Sequence, residues 1–544
     1  MTTTGFGAAV TEFTRGFLIV GFTGFAGTGG RSAARILARD KQPEFPAYNP
    51  DFFTEDCRTN KLAHEKLKRI YENIGWRPFT IIETNRVIFA IALAESLAGT
   101  RQSDTIIDDI AAKHGDNLCH LKYLLPDNKP DHTEEAIMLG AFEASKAAYA
   151  DFKIAAKKKT IPILQEFAYN IRLHGKTWQG TTRSQTYSHL FIIPEAVRRL
   201  VKAYDRVRHS KRIAIDSFRN PYEVEYFRRR YNEFYLVGLT RDEDGILKDL
   251  KANSRDEVAD IWKWEHPELS GRSREDIYKW AAGANVEECI QKADLFINNT
   301  GSEEKIIFYL AKLLSLWQRP GCVQPSFDER GMQVALSAKL MSGCISRQVG
   351  AALAHSSGYI MGIGWNDPPQ GQTPCALRTG HDLVAVPQTG DEHHQFSTYE
   401  KSMEFAEFIR SNCNDYHPYC FKDKYAESTG KEKKLELSRA LHAEENAFLQ
   451  AAKIGGVSAI DSTLFTTSST CHLCAKKAYQ LSVKRIVFIE RYPGKTEEQV
   501  IRAGDSQDIA FQNFEGIAGT AYFKLYSPMM AEKDMIDLFL RCDD

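Results

Sequence analysis

Four residues in the second half of the chain have the types and spacing of a catalytic zinc site. They form an H-x-E element, His442 and Glu444, and a C-x-x-C element, Cys471 and Cys474. One imidazole and two thiolates suit a zinc ion whose fourth tetrahedral position stays open for water. Glu444 is placed to move protons beside that water. We therefore interpret His442, Cys471 and Cys474 as zinc ligands and Glu444 as the catalytic residue.

The predicted elements around these residues would bring them together. One helix is predicted to begin at His442, and another at Cys471 follows a predicted strand at 462–467. Helix N-termini favour thiolate over thiol, which supports a metal site. The alternative is a closed structural zinc site, which needs a fourth Cys or His nearby. His472 is poorly placed for that purpose, and Glu444 would then have no role.

The motif resembles the signature of the zinc deaminases, in which activated water attacks C4 of cytosine or C6 of adenine. A predicted helix capped by Ser326, then two strands ending in Gly364-Trp365-Asn366, is similar to the start of the deoxycytidylate deaminases. The resemblance implies that Glu444 moves protons between water, N3 of the base and the leaving amine. It also implies that Asn366 contacts the sugar and that Ala443 belongs to the substrate site.

Two positions leave this interpretation open. Asn366 could instead be a residue that tolerates left-handed turn geometry. Thr470 stands directly before the first cysteine, where these deaminases usually have a proline that stiffens the turn. This departure concerns the geometry of the site more than its chemistry.

An insertion at about 369–440 contains a second candidate metal site. Cys413, His417 and Cys420 could hold a structural zinc, as in some deoxycytidylate deaminases. The spacing permits a metal but is not diagnostic, so ordinary loop or core residues are the alternative.

A glycine-rich loop near the beginning of the chain is a candidate phosphate-binding site. It lies between a predicted strand at 17–22 and a predicted helix at 33–39. Backbone N–H groups of such a loop can wrap an anion at the positive end of the helix. The loop resembles a Walker A motif, but Gly30 replaces its lysine and Arg31 its Ser/Thr. A turn without ligand is the alternative. The candidate residues are Gly24, Gly27, Gly29, Gly30, Arg31 and Ser32.

Asp216 ends a predicted strand at 212–215, where P-loop folds place a magnesium-binding carboxylate. The order of these motifs resembles the nucleotide and dephospho-coenzyme A kinases, which implies a bound nucleotide and Mg²⁺. Asp216 could instead cap a turn before 220–221. Further along, 241–290 is rich in charge and could be a lid or a helical insert.

These elements predict an α/β protein of two domains. A doubly wound P-loop kinase-like domain is expected at 1–318, and an α/β/α cytidine-deaminase-like domain at 319–544. Prolines and a glycine at 317–326 interrupt a predicted helix and mark the boundary. Without the Walker lysine, the first domain is expected to regulate rather than to transfer phosphate.

Composition excludes several classes of protein. The 70 Lys and Arg residues balance 71 Asp and Glu residues, without the basic excess of a dedicated nucleic-acid binder. The 11 cysteines show no disulfide framework. We find no secretory signal at 1–14 and no apolar run long enough to span a membrane. The sequence predicts a cytoplasmic protein.

Together, the two domains resemble the bacterial antiphage deoxycytidine-nucleotide deaminases. That resemblance implies conversion of dCTP and dCMP to dUTP and dUMP, a homo-oligomer, and control by an inhibitory RNA or a phage-derived trigger. One competing hypothesis is a deaminase of RNA or DNA, which would need a basic channel and stacking aromatics. Another is an inactive nucleotide-sensing regulator, which the intact H-x-E and C-x-x-C elements disfavour.

Overall fold

The computed structural model describes most of the chain. The described residues are 16–53, 57–100, 105–178, 187–241, 265, 274–385, 395–413, 416–455, 458–491, 496–503 and 509–534. Most of the charged stretch predicted as a lid or insert, 242–264 and 266–273, lies outside them, as does the N-terminal stretch 1–14. No helix in the described ranges is long and apolar enough to cross a membrane.

The described strands, in chain order, are β1 (Leu18–Thr23), β2 (Thr80–Ile82), β3 (Arg212–Phe218), β4 (Phe234–Thr240), β5 (Leu295–Asn298), β6 (Gly350–Ala354), β7 (Ile360–Trp365), β8 (Thr463–Ser468), β9 (Arg485–Glu490), β10 (Ala510–Asn513) and β11 (Gly516–Ile517).

The described helices are α1 (Gly30–Leu37), α2 (Arg58–Glu72), α3 (Thr84–Leu97), α4 (Thr105–His114), α5 (His132–Ala156), α6 (Thr160–His174), α7 (Ile192–Arg208), α8 (Pro221–Arg228), α9 (Arg274–Ala282), α10 (Val286–Gln291), α11 (Glu303–Gln318), α12 (Phe327–Lys339), α13 (Gly380–Ala385), α14 (Met403–Asn412), α15 (Phe421–Thr429), α16 (Ala443–Ile454), α17 (His472–Gln480) and α18 (Thr520–Tyr526).

The chain forms two compact units. The first unit comprises Met1–Pro325 and Glu515–Asp544, and the second unit comprises Ser326–Phe514. The expectation of one domain over 319–544 therefore needs correction at its far end. Strand β11 pairs antiparallel with β5, and α18 contributes Ala521 and Leu525 to the core of the first unit. These long-range contacts explain why the end of the described chain belongs to the first unit.

The sheet of the first unit is built outward from β1. Strands β3 and β2 lie on one side of it and β4 and β5 on the other, all parallel. Strands β1, β3 and β4 are mainly apolar and almost entirely buried, as expected for parallel strands covered on both faces. The carboxyl end of β1 leads into the glycine-rich loop, and α1 follows it. This order agrees with the expected α/β class.

The second unit has a mixed sheet. Strand β6 is antiparallel to β7 and β8, whereas β8, β9 and β10 are parallel. A Cβ at Gly350 would overlap the backbone of α12, and one at Gly364 would overlap the backbone of α16. Gly350 is opposite Trp365, so Gly350 and Gly364 face opposite sides of the sheet. The two helices therefore cover opposite faces, which gives the α/β/α layers expected.

Helix α12 begins at the predicted residue. The Ser326 hydroxyl accepts a hydrogen bond from the Glu329 N–H at 3.2 Å, and the Glu329 carboxylate accepts one from the Ser326 N–H at 2.8 Å. This capping box satisfies two N–H groups at the start of the helix. The N-cap predicted at Ser326 is confirmed.

Candidate active site

The four motif residues lie at the starts of two helices of the second unit. His442 is the N-cap of α16, and Cys471 is the N-cap of α17, directly after β8. Gly364 allows α16 to approach β7 closely at Ala443, because any side chain there would overlap the Ala443 carbonyl. Strand and helix together fix where the H-x-E element stands.

The three predicted ligands converge. Nδ1 of His442 lies 3.3 Å from Sγ of Cys471 and 3.4 Å from Sγ of Cys474. The three donor atoms are all within 4.8 Å of one another. Zinc bonds of about 2.0–2.3 Å in a tetrahedron would separate its ligands by about 3.5 Å. The donor set and its spacing therefore fit a zinc ion.

Of the two thiols, that of Cys471 loses its proton much more readily than that of Cys474. Hydrogen bonding to Cys474 and to His442 outweighs burial and lowers the pKa of Cys471 to about 3. Its partner behaves oppositely, because the hydrogen bond to Cys471 and burial both raise the pKa of Cys474. Hydrogen bonding to Cys471 also raises the pKa of His442. A metal bound here would need both thiols deprotonated and the imidazole neutral, and of the three groups Cys471 already favours its deprotonated form.

Glu444 is buried next to these ligands. Only 4% of the residue is exposed, and burial raises its pKa to about 7. A carboxyl group with a pKa near the working pH can both take up and release a proton, which suits a general acid and base. The site thus combines three metal donors with a proton carrier.

A cavity of about 280 Å³ adjoins the site. It lies within the second unit, and His442, Ala443, Glu444 and Cys471 form one end of its lining. The size is close to the lower limit of ~300 Å³ for ligand pockets. The rest of the lining comes from the loop before β6, from the end of β8 and from the insertion. Residues missing from the sequence prediction include Cys344, Arg347, Cys375, Lys422, Arg439 and Ser468.

Asn366 lines this cavity, but most of its side chain is already hydrogen-bonded. Its Oδ1 accepts from the Val349 N–H at 2.6 Å and from the Ser342 hydroxyl at 2.8 Å. Its Nδ2 donates to the Arg347 carbonyl at 2.5 Å. One N–H of the amide remains for a ligand. Asn366 therefore anchors the loop before β6, and a sugar contact would use that one donor.

The second predicted metal site does not assemble. Within the described ranges, only His442, Cys471 and Cys474 form a group of three metal donors within 4.8 Å. Cys413 follows the last turn of α14 and packs beside a small aromatic core, whereas Cys420 caps α15 and faces the cavity. Cys413 and Cys420 thus lie in different surroundings, and with His417 they form no group of three donors in the described ranges, which corrects this prediction.

The candidate phosphate loop has the predicted form, strand, glycine loop and helix. Gly24, Gly27 and Gly29 have positive φ angles, which other residues rarely adopt. Arg31 Nε lies 3.4 Å from a carboxylate oxygen of the buried Asp216, and the other oxygen accepts from the Thr84 N–H at 2.8 Å. Burial raises the pKa of Asp216, and Arg31 opposes that shift. The structure brings the predicted residues together, while Ser32 stays exposed on α1.

A carboxylate from elsewhere in the first unit contacts this loop. The Ala26 N–H donates to both carboxylate oxygens of Glu265, at 3.2 and 3.0 Å. Glu265 is also paired with Arg219, and its side chain is 2% exposed. The protein's own carboxylate thus binds one of the N–H groups that a phosphate would use. Sequence reasoning could not find Glu265, because it is 239 positions from Ala26.

Part of the chain that contains this site also matches a known protein family. Residues 325–490 match the family described as cytidine and deoxycytidylate deaminase zinc-binding region. This stretch is similar to the zinc-binding region of that family. It contains all four motif residues, His442, Glu444, Cys471 and Cys474.

Individual relatives agree with the family match. The deoxycytidylate deaminase of Schizosaccharomyces pombe is 26% identical over 210 residues, covering 37% of this chain and 48% of that protein. The match thus spans about half of the yeast enzyme. The deoxycytidylate deaminase of Enterobacteria phage T2 is 29% identical over 164 residues, covering 30% of this chain and 78% of that protein. A crystal structure of the dCMP deaminase of cyanophage S-TIM5 with dCMP and dUMP is 22% identical, covers 35% of this chain and 99% of that chain, and has a TM-score of 0.22.

Thr470, the departure noted in the sequence, is compatible with this zinc-binding region. The residue is fully buried, and the following Cys471 has an extended backbone with φ −71° and ψ 169°. The donor atoms converge although proline is replaced. The substitution leaves the Thr470 hydroxyl buried without a hydrogen-bond partner among the described residues.

Proposed function

We propose that the second unit deaminates free deoxycytidine nucleotides with the help of zinc, converting dCMP and dCTP to dUMP and dUTP. The observation that carries the proposal is the group of His442, Cys471 and Cys474 donors with buried Glu444 beside a cavity of about 280 Å³. The deaminase family match and the deoxycytidylate deaminase relatives support the same class of substrate.

The residues divide the work as follows in this proposal. His442, Cys471 and Cys474 would hold the metal, which when bound makes a water molecule nucleophilic near neutral pH. Glu444 takes a proton from the attacking water and delivers it to N3 of cytosine. Glu444 then carries a second proton to the exocyclic nitrogen, which leaves as ammonia. A carboxyl pKa of about 7 suits both directions of transfer.

The first unit would regulate this activity. We place a nucleotide, and Mg²⁺ with it, at Gly24, Gly27, Gly29, Gly30 and Arg31, with Asp216 beside them. Gly30 stands in place of the Walker lysine, so no phosphoryl transfer from labelled ATP is expected. Robust transfer would contradict a purely regulatory role. In the full proposal, a cytoplasmic homo-oligomer released by an RNA or phage-derived trigger depletes dCTP as antiphage defence.

The decisive experiment uses the purified full-length protein. It is incubated with dCMP, dCTP, deoxycytidine and single-stranded DNA, and uracil-containing products are measured. The Glu444→Ala variant should lose activity, whereas Glu445→Ala should retain it. Glu445 is the next residue, and its ion-pair partner among the described residues is the half-exposed Lys477. If DNA reacts and the free nucleotides do not, or if Glu444→Ala equals wild type, the proposal is wrong.

A further inference from the structure

The one cation in the glycine loop of the first unit is already paired. Gly30 stands where a Walker A loop has its lysine, and Arg31 is the only Lys or Arg between Gly24 and Ser32. Arg31 Nε lies 3.4 Å from a carboxylate oxygen of the buried Asp216. Phosphate binds most strongly where positive charge adds to backbone N–H groups. Further positive charge for a phosphate at this loop would have to come from elsewhere in the first unit.

A carboxylate that is already bound at the loop identifies the groups that can hold an anion there. The two carboxylate oxygens of Glu265 accept from the Ala26 N–H at 3.2 and 3.0 Å. The same carboxylate forms an ion pair with Arg219. A backbone N–H and a guanidinium are the two kinds of group that commonly bind phosphate. Glu265 therefore marks an anion position that the loop and Arg219 form together.

Arg219 is held at the edge of the sheet from which the glycine loop emerges. It directly follows β3, which is parallel to β1, so both strands end at the same edge. Its carbonyl accepts from the Asn285 N–H at 2.8 Å, and its Nε donates to the Ser217 hydroxyl at 3.2 Å. The next residue, Asn220, is the buried N-cap of α8. Such anchoring keeps a binding side chain in place for its ligand.

The surroundings of Arg219 favour an anion beside it. Burial lowers the pKa of Arg219 to about 10, although Asp216 opposes the shift. Removing the partner of such a desolvated charge is strongly unfavourable. The side chain is nevertheless 23% exposed, so an incoming ligand can reach it. Glu265 neutralises Arg219 in this structure, and a phosphate in the same position would do so as well.

Two further carboxylates near Arg219 are already engaged. Glu223 accepts from Arg172 at 2.8 and 3.0 Å. Asp216 accepts from the first N–H of α3 at 2.8 Å and is paired with the loop arginine. If a ligand displaced Glu265, neither of these two carboxylates would be free to replace it. The anionic group of the ligand would then have to neutralise Arg219.

We propose that Arg219 supplies the positive charge for a nucleotide phosphate at the glycine loop, in place of the absent Walker lysine, and that Glu265 occupies this position while no nucleotide is bound. This role rests on the proposed nucleotide binding by the first unit and adds the residue that recognises the phosphate charge. A phosphate in place of Glu265 would accept from the Ala26 N–H and from the fork of Arg219, which can donate two N–H groups.

The test removes Arg219 from a protein in which Glu265 no longer needs it. The affinity of a fluorescent ATP analogue is measured by titration for full-length Glu265→Gln and for the double variant Arg219→Gln/Glu265→Gln. The double variant has no charge at either position, so no buried charge is left unpaired. It should bind the analogue between roughly tenfold and a hundredfold more weakly than Glu265→Gln, because charge-assisted hydrogen bonds are lost.

Two further variants in the Glu265→Gln background sharpen the result. Arg219→Lys keeps the charge but not the fork, so it should lose part of the affinity. Arg39→Gln is the matched control, because Arg39 lies beyond the far end of α1 and pairs with the exposed Glu303 at 2.8 Å. It should not change the affinity. Competition by pyrophosphate, which lacks a base, should weaken in the double variant by the same factor as binding of the analogue.

The single variant Arg219→Gln distinguishes phosphate recognition from a purely structural role by the sign of its effect. If Arg219 only held Glu265 in place, its removal would loosen the competing carboxylate, and the analogue would bind more tightly or as before. If Arg219 contacts the phosphate, the analogue should bind more weakly. Tighter or unchanged binding in Arg219→Gln would overturn the proposal.

The same titrations separate this role from the proposed function. Equal affinities of Glu265→Gln and the double variant would refute the role of Arg219 and leave nucleotide binding by the first unit intact. If neither wild type nor Glu265→Gln binds the analogue, the proposed nucleotide site is wrong, and the role of Arg219 is wrong with it. Deamination by the second unit is measured independently and does not affect either outcome.

Discussion

The glycine loop of the first unit and the cavity of the second unit both gather groups that suit an anion, but their charges are balanced differently. In the loop, Glu265 accepts from the Ala26 N–H and pairs with Arg219, while Arg31 pairs with Asp216. In the cavity, Lys422 and Arg439 have no acidic partner in the described part of the chain.

This difference shows that the backbone geometry of an anion site does not by itself determine how strongly the site binds a ligand. The loop has the backbone of a phosphate site, but a carboxylate of the same unit competes for it. A nucleotide would have to displace Glu265, and separating Glu265 from Arg219 costs free energy because it leaves a buried charge without its partner. The cavity has no such competitor among the described residues. We therefore expect the second unit to bind anionic ligands more readily than the first.

The largest effect is expected from removing the metal. Dialysis against a chelator should reduce deamination to an undetectable rate, and added Zn²⁺ should restore it, because the activated water is lost. Nucleotide binding by the first unit should be unaffected. Metal analysis and product formation are followed together. Full deamination by metal-free protein would contradict the proposal that the second unit uses a metal at His442, Cys471 and Cys474.

The next largest effect should be on stability in the second unit. Arg378 and Glu400 are almost completely buried and form an ion pair at 2.6 Å. Glu400→Gln removes the charge that balances Arg378 and should destabilise the unit by about 3–5 kcal/mol. Urea unfolding followed by circular dichroism measures the shift. Glu404→Gln, on the exposed side of α14, is the control. A decrease in the free energy of unfolding no larger than that of the control would show that the Glu400 charge does not stabilise buried Arg378.

A smaller effect is expected at the glycine loop. Glu265→Gln keeps the side-chain shape but removes its charge, so ATP binding to the protein should become roughly tenfold tighter. Titration with a fluorescent ATP analogue measures this. Glu275→Gln is a suitable control, because Glu275 pairs with Lys279 on a half-exposed helix face. Unchanged affinity in Glu265→Gln would mean that Glu265 does not compete with the ligand.

The smallest effect concerns acid stability of the first unit. Burial favours the neutral form of Glu195, but hydrogen bonds from Arg198 and Tyr226 outweigh it and lower the pKa of Glu195 to about 2. A depressed pKa stabilises the fold above the unfolded value of ~4.3. That stability should be lost as the pH falls from about 5 towards 2. Thermal unfolding of wild type and Glu195→Gln should therefore differ at pH 7 and converge in acid; a constant difference would contradict the assignment.

The sequence predicted those features that depend on short spacing. The three donors that could hold a metal lie at two helix starts, so local propensity and motif spacing are enough to bring them together. The Ser326 cap and the strand before Cys471 followed from local rules in the same way.

Features that depend on distant contacts were not predictable. Glu265 at the glycine loop and the return of β11 to the first sheet join residues that are far apart in the chain. Asn366 lies at the predicted turn, but its partners in the loop before β6 could not be read from its own neighbours. Arg439 was missed although it adjoins the zinc motif, because no pattern in one sequence shows which arginine lacks an acid.

The return of the chain to the first unit has a consequence for biosynthesis. Ser326–Phe514 is made between two parts of the first unit. Because domains fold as the ribosome delivers them, the second unit can fold before β11 reaches the edge beside β5. During that interval the edge of β5 is open to other strands. The nascent first unit is thus most exposed to misassembly while the second unit is being completed.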